Sequence, residues 1–142
     1  MQKKSKVKIV LDAWALLSLI FKEEPAAGSV KRILSKEEIP GSSIYISWIN
    51  IGEVYYSITR RKGQDVADDI LNDIKNLPVT LHEPSKTDIL AAATLKSKYK
   101  LSYADAFAVS LTQKIDGIIV TGDPEIIVLK DFVKVEQLSR YL

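Results

Sequence analysis

The sequence predicts a three-layer α/β/α domain with a mostly parallel central sheet, and two observations predict it. Short β-rich runs at 6–11, 44–46, 79–81 and 117–120 alternate with longer helical patterns. That alternation is the signature of parallel strands joined by right-handed helical crossovers. The 142 residues, 46% hydrophobic and 27% charged, suffice for one core of ordinary size. No internal repeat, low-complexity tract or linker divides them, so 1–142 reads as one domain.

The elements follow in order. Residues 6–11 are rich in Val and Ile and read as a buried strand. Residues 13–21 then turn helical, and Pro25 opens a helix to about residue 36. Pro40-Gly41 is a turn, 44–46 a short strand, and Ser47 the N-cap of a helix that runs to 62 and ends at Gly63. A further helix covers 65–75. Pro78 precedes a strand at 79–81. Ser85 caps a helix to about residue 99, and Ser102 caps the next, to about 114. Residues 117–120 form a strand, 123–129 a short helical turn, and 132–135 a last strand. No element is assigned to 136–142.

Composition narrows the chemistry. A net charge of +2 does not by itself announce nucleic-acid binding. The basic clusters (Lys3, Lys4, Lys6 and Lys8; Arg60, Arg61 and Lys62; Lys96, Lys98 and Lys100) read first as solubility and helix-dipole features, and second as phosphate contacts. The chain has no cysteine, which excludes disulfides, thiolate catalysis and sulfur-ligated zinc. Its one histidine, His82, cannot build a multi-histidine metal site and reads as a loop residue. The N-terminal lysines and apolar run resemble a signal peptide only superficially, because Asp12 interrupts the run. No apolar run approaches the ~18–20 residues needed to span a membrane. The expected location is the cytoplasm.

Four carboxylates stand where a charge is awkward. Asp12 interrupts an apolar run, Glu53 lies in a helical pattern, Asp105 opens a helix poor in charges, and Asp123 follows Ile118-Ile119-Val120. An unpaired buried charge is expensive, and one divalent cation would serve all four. Ligands of open parallel sheets bind beyond the carboxyl ends of the strands. Asp12 and Asp123 would therefore meet if their strands are neighbours. Periodicity puts Glu53 opposite the apolar stripe Trp48, Ile51, Tyr55 and Ile58, facing solvent in the simplest reading and a polar cleft in the other. Taken singly, Asp12 also reads as an N-cap, Asp105 as half of a Ser102-x-x-Asp105 capping box, and Asp123 as a turn residue.

The motifs Ile9-Val10-Leu11-Asp12, Ile49-Asn50-Ile51-Gly52-Glu53-Val54, Leu101-Ser102-Tyr103-Ala104-Asp105-Ala106 and Val120-Thr121-Gly122-Asp123 resemble, in order and spacing, the acidic motifs of PIN-domain ribonucleases. The VapC-type toxins of toxin–antitoxin pairs are the nearest resemblance, which spans nearly the whole chain. It implies a PIN-like fold and a Mg²⁺- or Mn²⁺-dependent endoribonuclease. It assigns Asp12, Glu53, Asp105 and Asp123 to the catalytic, metal-holding cluster, with Thr121 and Asn50 in support. Arg60, Arg61 and Lys62 are the candidates for substrate phosphate. The resemblance also implies a homodimer and a cognate VapB-like antitoxin, with Trp14 and Phe21 either part of its docking surface or, more simply, core. Trp14 is the departure, because the family often carries a small hydroxyl residue there. Asp116 reads as helix-end punctuation.

Without a histidine or cysteine nucleophile, the expected attack is by metal-activated water, leaving 5′-phosphate and 3′-hydroxyl ends. In the absence of metal, mutual repulsion should raise one or more of the carboxyl pKa values. Two rival readings remain. One is a phosphoryl-transfer domain of haloacid-dehalogenase type, which would need an Asp where Trp14 stands. The other is a PIN-fold RNA-binding or assembly module without catalysis.

Overall fold

The computed structural model describes residues 6–139, so Lys3 and Lys4 and the end of the tail lie outside the described residues. The chain runs β1 (Lys8–Leu11), α1 (Ala13–Ile20), α2 (Ala26–Leu34), β2 (Ser43–Ser47), α3 (Trp48–Lys62), α4 (Gln64–Lys75), β3 (Thr80–His82), α5 (Lys86–Lys98), α6 (Tyr103–Lys114), β4 (Ile118–Thr121), α7 (Pro124–Ile127) and β5 (Val135–Gln137).

The five strands form one sheet in the order β3-β2-β1-β4-β5, and every ladder is parallel. Side chains alternate across a strand, and here both faces are apolar. Ile9 and Leu11 of β1, Ile44 and Ile46 of β2 and Val120 of β4 pack on one side with α1 to α4. Val10 and Ile119 pack on the other with α5 and α6, where Tyr45 joins them. This double burial is why the strands read as continuous apolar runs. It produces the three-layer α/β/α architecture.

Helix starts match the expected caps. Ser47 Oγ accepts from Ile49 N at 3.2 Å, and Ser102 Oγ accepts from Asp105 N at 3.1 Å. Gly63 ends α3 at φ +91°, a conformation that side chains other than glycine's adopt only with strain.

The last strand departs from the expectation. Of the expected run 132–135 only Val135 lies in the strand, paired with Ile119, and β5 continues to Gln137. Phe132 and Val133 instead close a turn onto Leu129 O, at 2.8 and 3.0 Å. Phe132 stacks on Tyr99 with ring centroids 5.0 Å apart, and Val133 is buried in the second core cluster. An apolar run this short can satisfy its burial in a turn as well as in a strand.

A candidate acidic metal site

Strand order reverses between β1 and β4. From β1 the chain proceeds outward to β2 and β3, then returns to β4 and β5 on the other side. The pairs Ile9↔Ile118, Val10↔Ile119 and Leu11↔Val120 place the carboxyl ends of β1 and β4 side by side. Asp12 follows the first and Asp123 lies just beyond the second. The crevice outside such a switch point is where open α/β sheets bind ligands.

Thr121 joins the two. Its buried hydroxyl donates to Asp12 Oδ2 and accepts from Asp123 N at 3.0 Å. Asp12 Oδ1 accepts from Ala15 N at 2.9 Å. Asp12 is thus an N-cap and a member of the crevice at once, and the two readings do not compete. Asp123 likewise caps α7, accepting from Glu125 N at 3.0 Å.

Two helices bring the other carboxylates. Asn50, fully buried on α3, donates from Nδ2 to Ala104 O at 3.1 Å and so ties α3 to the start of α6. Glu53 sits one turn later on α3. Glu53 is half-buried there, close enough to Asp12, Asp105 and Asp123 to feel their charges, while Arg60 further along the same polar face is exposed. Helical periodicity identifies a polar face but not what lies opposite. Only half of the expected capping box at Asp105 is made, and not by its carboxylate. Ser102 accepts from Asp105 N, but among the described residues the return bond to Ser102 N is not made. α5 makes both bonds, through Ser85 and Asp88. The side chain of Asp105 turns instead to Asp123, with an oxygen of each within 4.8 Å of the other.

The electrostatics record the crowding. Burial is the largest cause pushing the Asp12 carboxyl up to about 7, against the Thr121 and Ala15 hydrogen bonds that favour its charged form; Asp123 and Glu53 add to the rise. Asp105 is pushed up to about 8, first by burial, then by the Asp123 side chain and by the charges of Asp123, Asp12 and Glu53. Glu53 is also raised, by burial and then Asp123, with Asn50 opposing. Buried carboxyl groups that share a field hold on to protons.

One residue was missed from the sequence. Glu125 offers an oxygen that, with one each from Asp105 and Asp123, lies in a set no more than 4.8 Å apart. The sequence signal was Asp123-Pro124-Glu125, in which the proline at N1 starts a helical turn that brings the second carboxylate back beside the first.

The donor set suits a hard divalent cation, because it is built of carboxylate oxygens without sulfur or imidazole. Glu53 Oε1 supports this fit, being buried with no hydrogen-bond partner among the described residues. Such an atom is costly unless something meets it. Asp12 retains acceptor capacity on both engaged oxygens, since each carries two lone pairs.

Trp14 does not fill the cluster. Its ring lies against the backbone of Gly122, where an added Cβ would stand 2.2 Å from Cη2. Both Trp14 and Phe21 pack against the first core cluster, as the simpler of the two readings expected. Arg60, Arg61 and Lys62 stand at the far end of α3, about 10 Å or more along the helix from Glu53. They stand apart from the cluster. His82 is committed to Asp88 at 3.0 Å, and Lys114 binds the same carboxylate at 2.8 Å. Asp116 takes φ +52° after α6 and is a helix terminator.

Fold and crevice together define an α/β domain that gathers carboxylates from several elements at its switch point. The PIN domain family model matches residues 9–131, and the chain belongs to that family. Solved structures share the fold at low identity. VapBC2 from Rickettsia felis, solved with a DNA fragment of its promoter, superposes at a TM-score of 0.72 with 15% identity, covering 94% of this chain and 100% of that one. VapC20 of Mycobacterium tuberculosis, described as a sarcin–ricin loop cleaving toxin, gives 0.71 at 16%, covering 84% and 93%. VapBC-1 from nontypeable Haemophilus influenzae gives 0.69 at 12%, covering 92% and 98%. Comparison with curated protein sequences finds no match.

Proposed function

We propose that this chain is a Mg²⁺- or Mn²⁺-dependent endoribonuclease and the toxin of a type II toxin–antitoxin pair. It would act in the cytoplasm and hydrolyse RNA phosphodiesters to leave 5′-phosphate and 3′-hydroxyl ends. The observation that carries the reading is the clustering of Asp105, Asp123 and Glu125 oxygens within 4.8 Å of one another, next to the buried Asp12 that Thr121 ties to Asp123, reinforced by membership of the PIN family.

A bound divalent cation supplies a lowered pKa for an attacking water and neutralises charge gathering at phosphorus. The chain's own residues do the rest. Asp105, Asp123 and Glu125 would hold the ion through their clustered oxygens. Glu53 adds the partnerless Oε1. Asp12 contributes its carboxylate while fixing the Thr121 hydroxyl, and through it the Asp123 amide. Ion binding requires Asp12 and Asp105 to release the protons that burial makes them keep.

Partners follow the same reading. The VapBC neighbours are complexes and support a VapB-like antitoxin. An open, largely apolar groove of about 650 Å³ between Leu19, Ala27, Lys31, Leu34 and Leu77 is a surface such a partner would cover. Exposed Ile89 and Leu90 on α5 support a homodimer through that helix. The second reading, a PIN-fold RNA-binding or assembly module, is favoured only by the Trp14 departure.

The test is cleavage of end-labelled single-stranded RNA by the full chain with Mg²⁺ or Mn²⁺. We expect 5′-phosphate and 3′-hydroxyl products, loss of cleavage in EDTA, and loss in Asp105→Ala with the fold retained. Products ending in 2′,3′-cyclic phosphate, or cleavage that survives EDTA, would reject the scheme. RNA binding with no cleavage by the parent would favour the module.

A further inference from the structure

We propose that Tyr56 and Arg60 form a platform on which an unpaired base of a single-stranded RNA stacks as the strand leaves the acidic crevice. The proposal rests on the nuclease reading and deepens it, since it names the form of substrate that the crevice accepts.

α3 carries a stripe that begins at the crevice. At 100° per residue, Ile49, Glu53, Tyr56 and Arg60 fall within about 60° of one another. Glu53 is the crevice carboxylate, so Tyr56 lies one turn further along the same face, about 4.5 Å of helix rise away. Tyr56 is 50% exposed, and Ile49, on the other side of Glu53, is 36% exposed. The Arg60 guanidinium carbon stands 5.1 Å from the centre of the Tyr56 ring, on an exposed residue. A large aromatic side chain left half in water, with a cation over its ring, is an arrangement nucleic acids use. The ring offers a stacking surface, and the guanidinium offers both a second plane and a phosphate partner.

The neighbouring groups on α3 are differently employed. Tyr55 donates its hydroxyl to Asp68 of α4 at 2.5 Å. Arg61 lies 3.7 Å from the ring centre of Phe21, which packs on the core. Of the two arginines, Arg60 is therefore the one placed to follow a strand past Glu53. Charge complementarity argues in the same direction. A polyanion approaching several carboxylates needs a positive group along its path, and Arg60 lies on the stripe that passes Glu53. Bases in a duplex are stacked inside it and present no free face to Tyr56, so the platform selects single strands, loops or bulges.

The test uses the full chain in EDTA, so that binding is read without cleavage. The probe is a fluorescein-labelled single-stranded RNA of about 12 nucleotides, followed by anisotropy. Tyr56→Ala should weaken binding about tenfold, the loss expected for one stacked base, while Tyr56→Phe should stay within about twofold. Arg60→Ala should weaken binding and lower the slope of log K against log salt by about one. Size-exclusion chromatography of each variant completes the set. Tyr56→Ala binding like the parent overturns the platform, even if the parent cleaves RNA normally. A Tyr56→Ala chain that changes oligomeric state overturns it too, and assigns this face to a second copy. A parent that neither binds nor cleaves RNA removes the nuclease reading along with it.

Discussion

Asp12 is fully buried, and that single fact sets how the metal-free protein responds to pH. Its carboxyl titrates near 4 in an unfolded chain and at about 7 in the fold, and Asp105 titrates at about 8. The folded protein therefore holds protons that the unfolded chain has lost. The stability they contribute is complete below pH ~4 and is lost as pH rises through about 7 and 8, at ~1.4 kcal/mol per pH unit for each proton so retained. Denaturant melts in EDTA should show stability falling between pH 5 and pH 8 along that slope, and Asp12→Asn should remove its own share and leave that of Asp105. The same substitution should cost RNA cleavage about 100-fold or more, because a neutral amide oxygen serves a divalent cation less well than a carboxylate. It should leave stability at neutral pH unchanged or higher, because no charge remains buried at position 12. Trp14 governs a second residue-scale effect. With its ring 2.2 Å from any Cβ at position 122, Gly122→Ala should destabilise by about 1–3 kcal/mol. Combining it with Trp14→Ala should recover part of the loss, which a double-mutant cycle in urea would measure.

At the scale of elements, the two Ser-x-x-Asp helix starts look alike in sequence and do different things. At α5, Asp88 completes the capping box and also gathers His82 and Lys114, with Lys114 the largest cause of a pKa held well below the usual carboxylate range. At α6, Asp105 leaves its box half made and turns to Asp123. Asp88→Ala should therefore lower stability by about 1 kcal/mol, chiefly as a lost cap, with RNA cleavage near the parent rate, as read from paired melts and initial rates. Periodicity and caps made most elements legible, since Ser47, Ser85 and Ser102 each begin the helix they announced. They could not reveal what faces the polar side of α3, because Glu53 meets Asp123 only after a crossover has brought α3 beside α6. Nor could they separate a buried turn from a strand at 132–135, where Phe132 finds Tyr99 instead of a neighbouring strand.

At the scale of the molecule, the strand order β3-β2-β1-β4-β5 sets the carboxyl ends of β1 and β4 side by side, and with them Asp12 and Asp123. The candidate site was legible in outline because carboxylates stood beside apolar runs, and because strand ends are where parallel sheets bind. Glu125 escaped notice because an acid in the first turn of a short helix is ordinary by dipole alone. A divalent ion seated among these oxygens would relieve their repulsion and bind only the folded state, so it should raise the melting temperature. The most direct measurement is the thermal melt at pH 7.5 with and without millimolar Mn²⁺, on the parent, Asp105→Asn and Asp123→Asn. The account predicts a rise of several degrees for the parent and little or none for either variant. A parent melt that ignores both Mn²⁺ and Mg²⁺ would contradict it, as would variants that respond as the parent does.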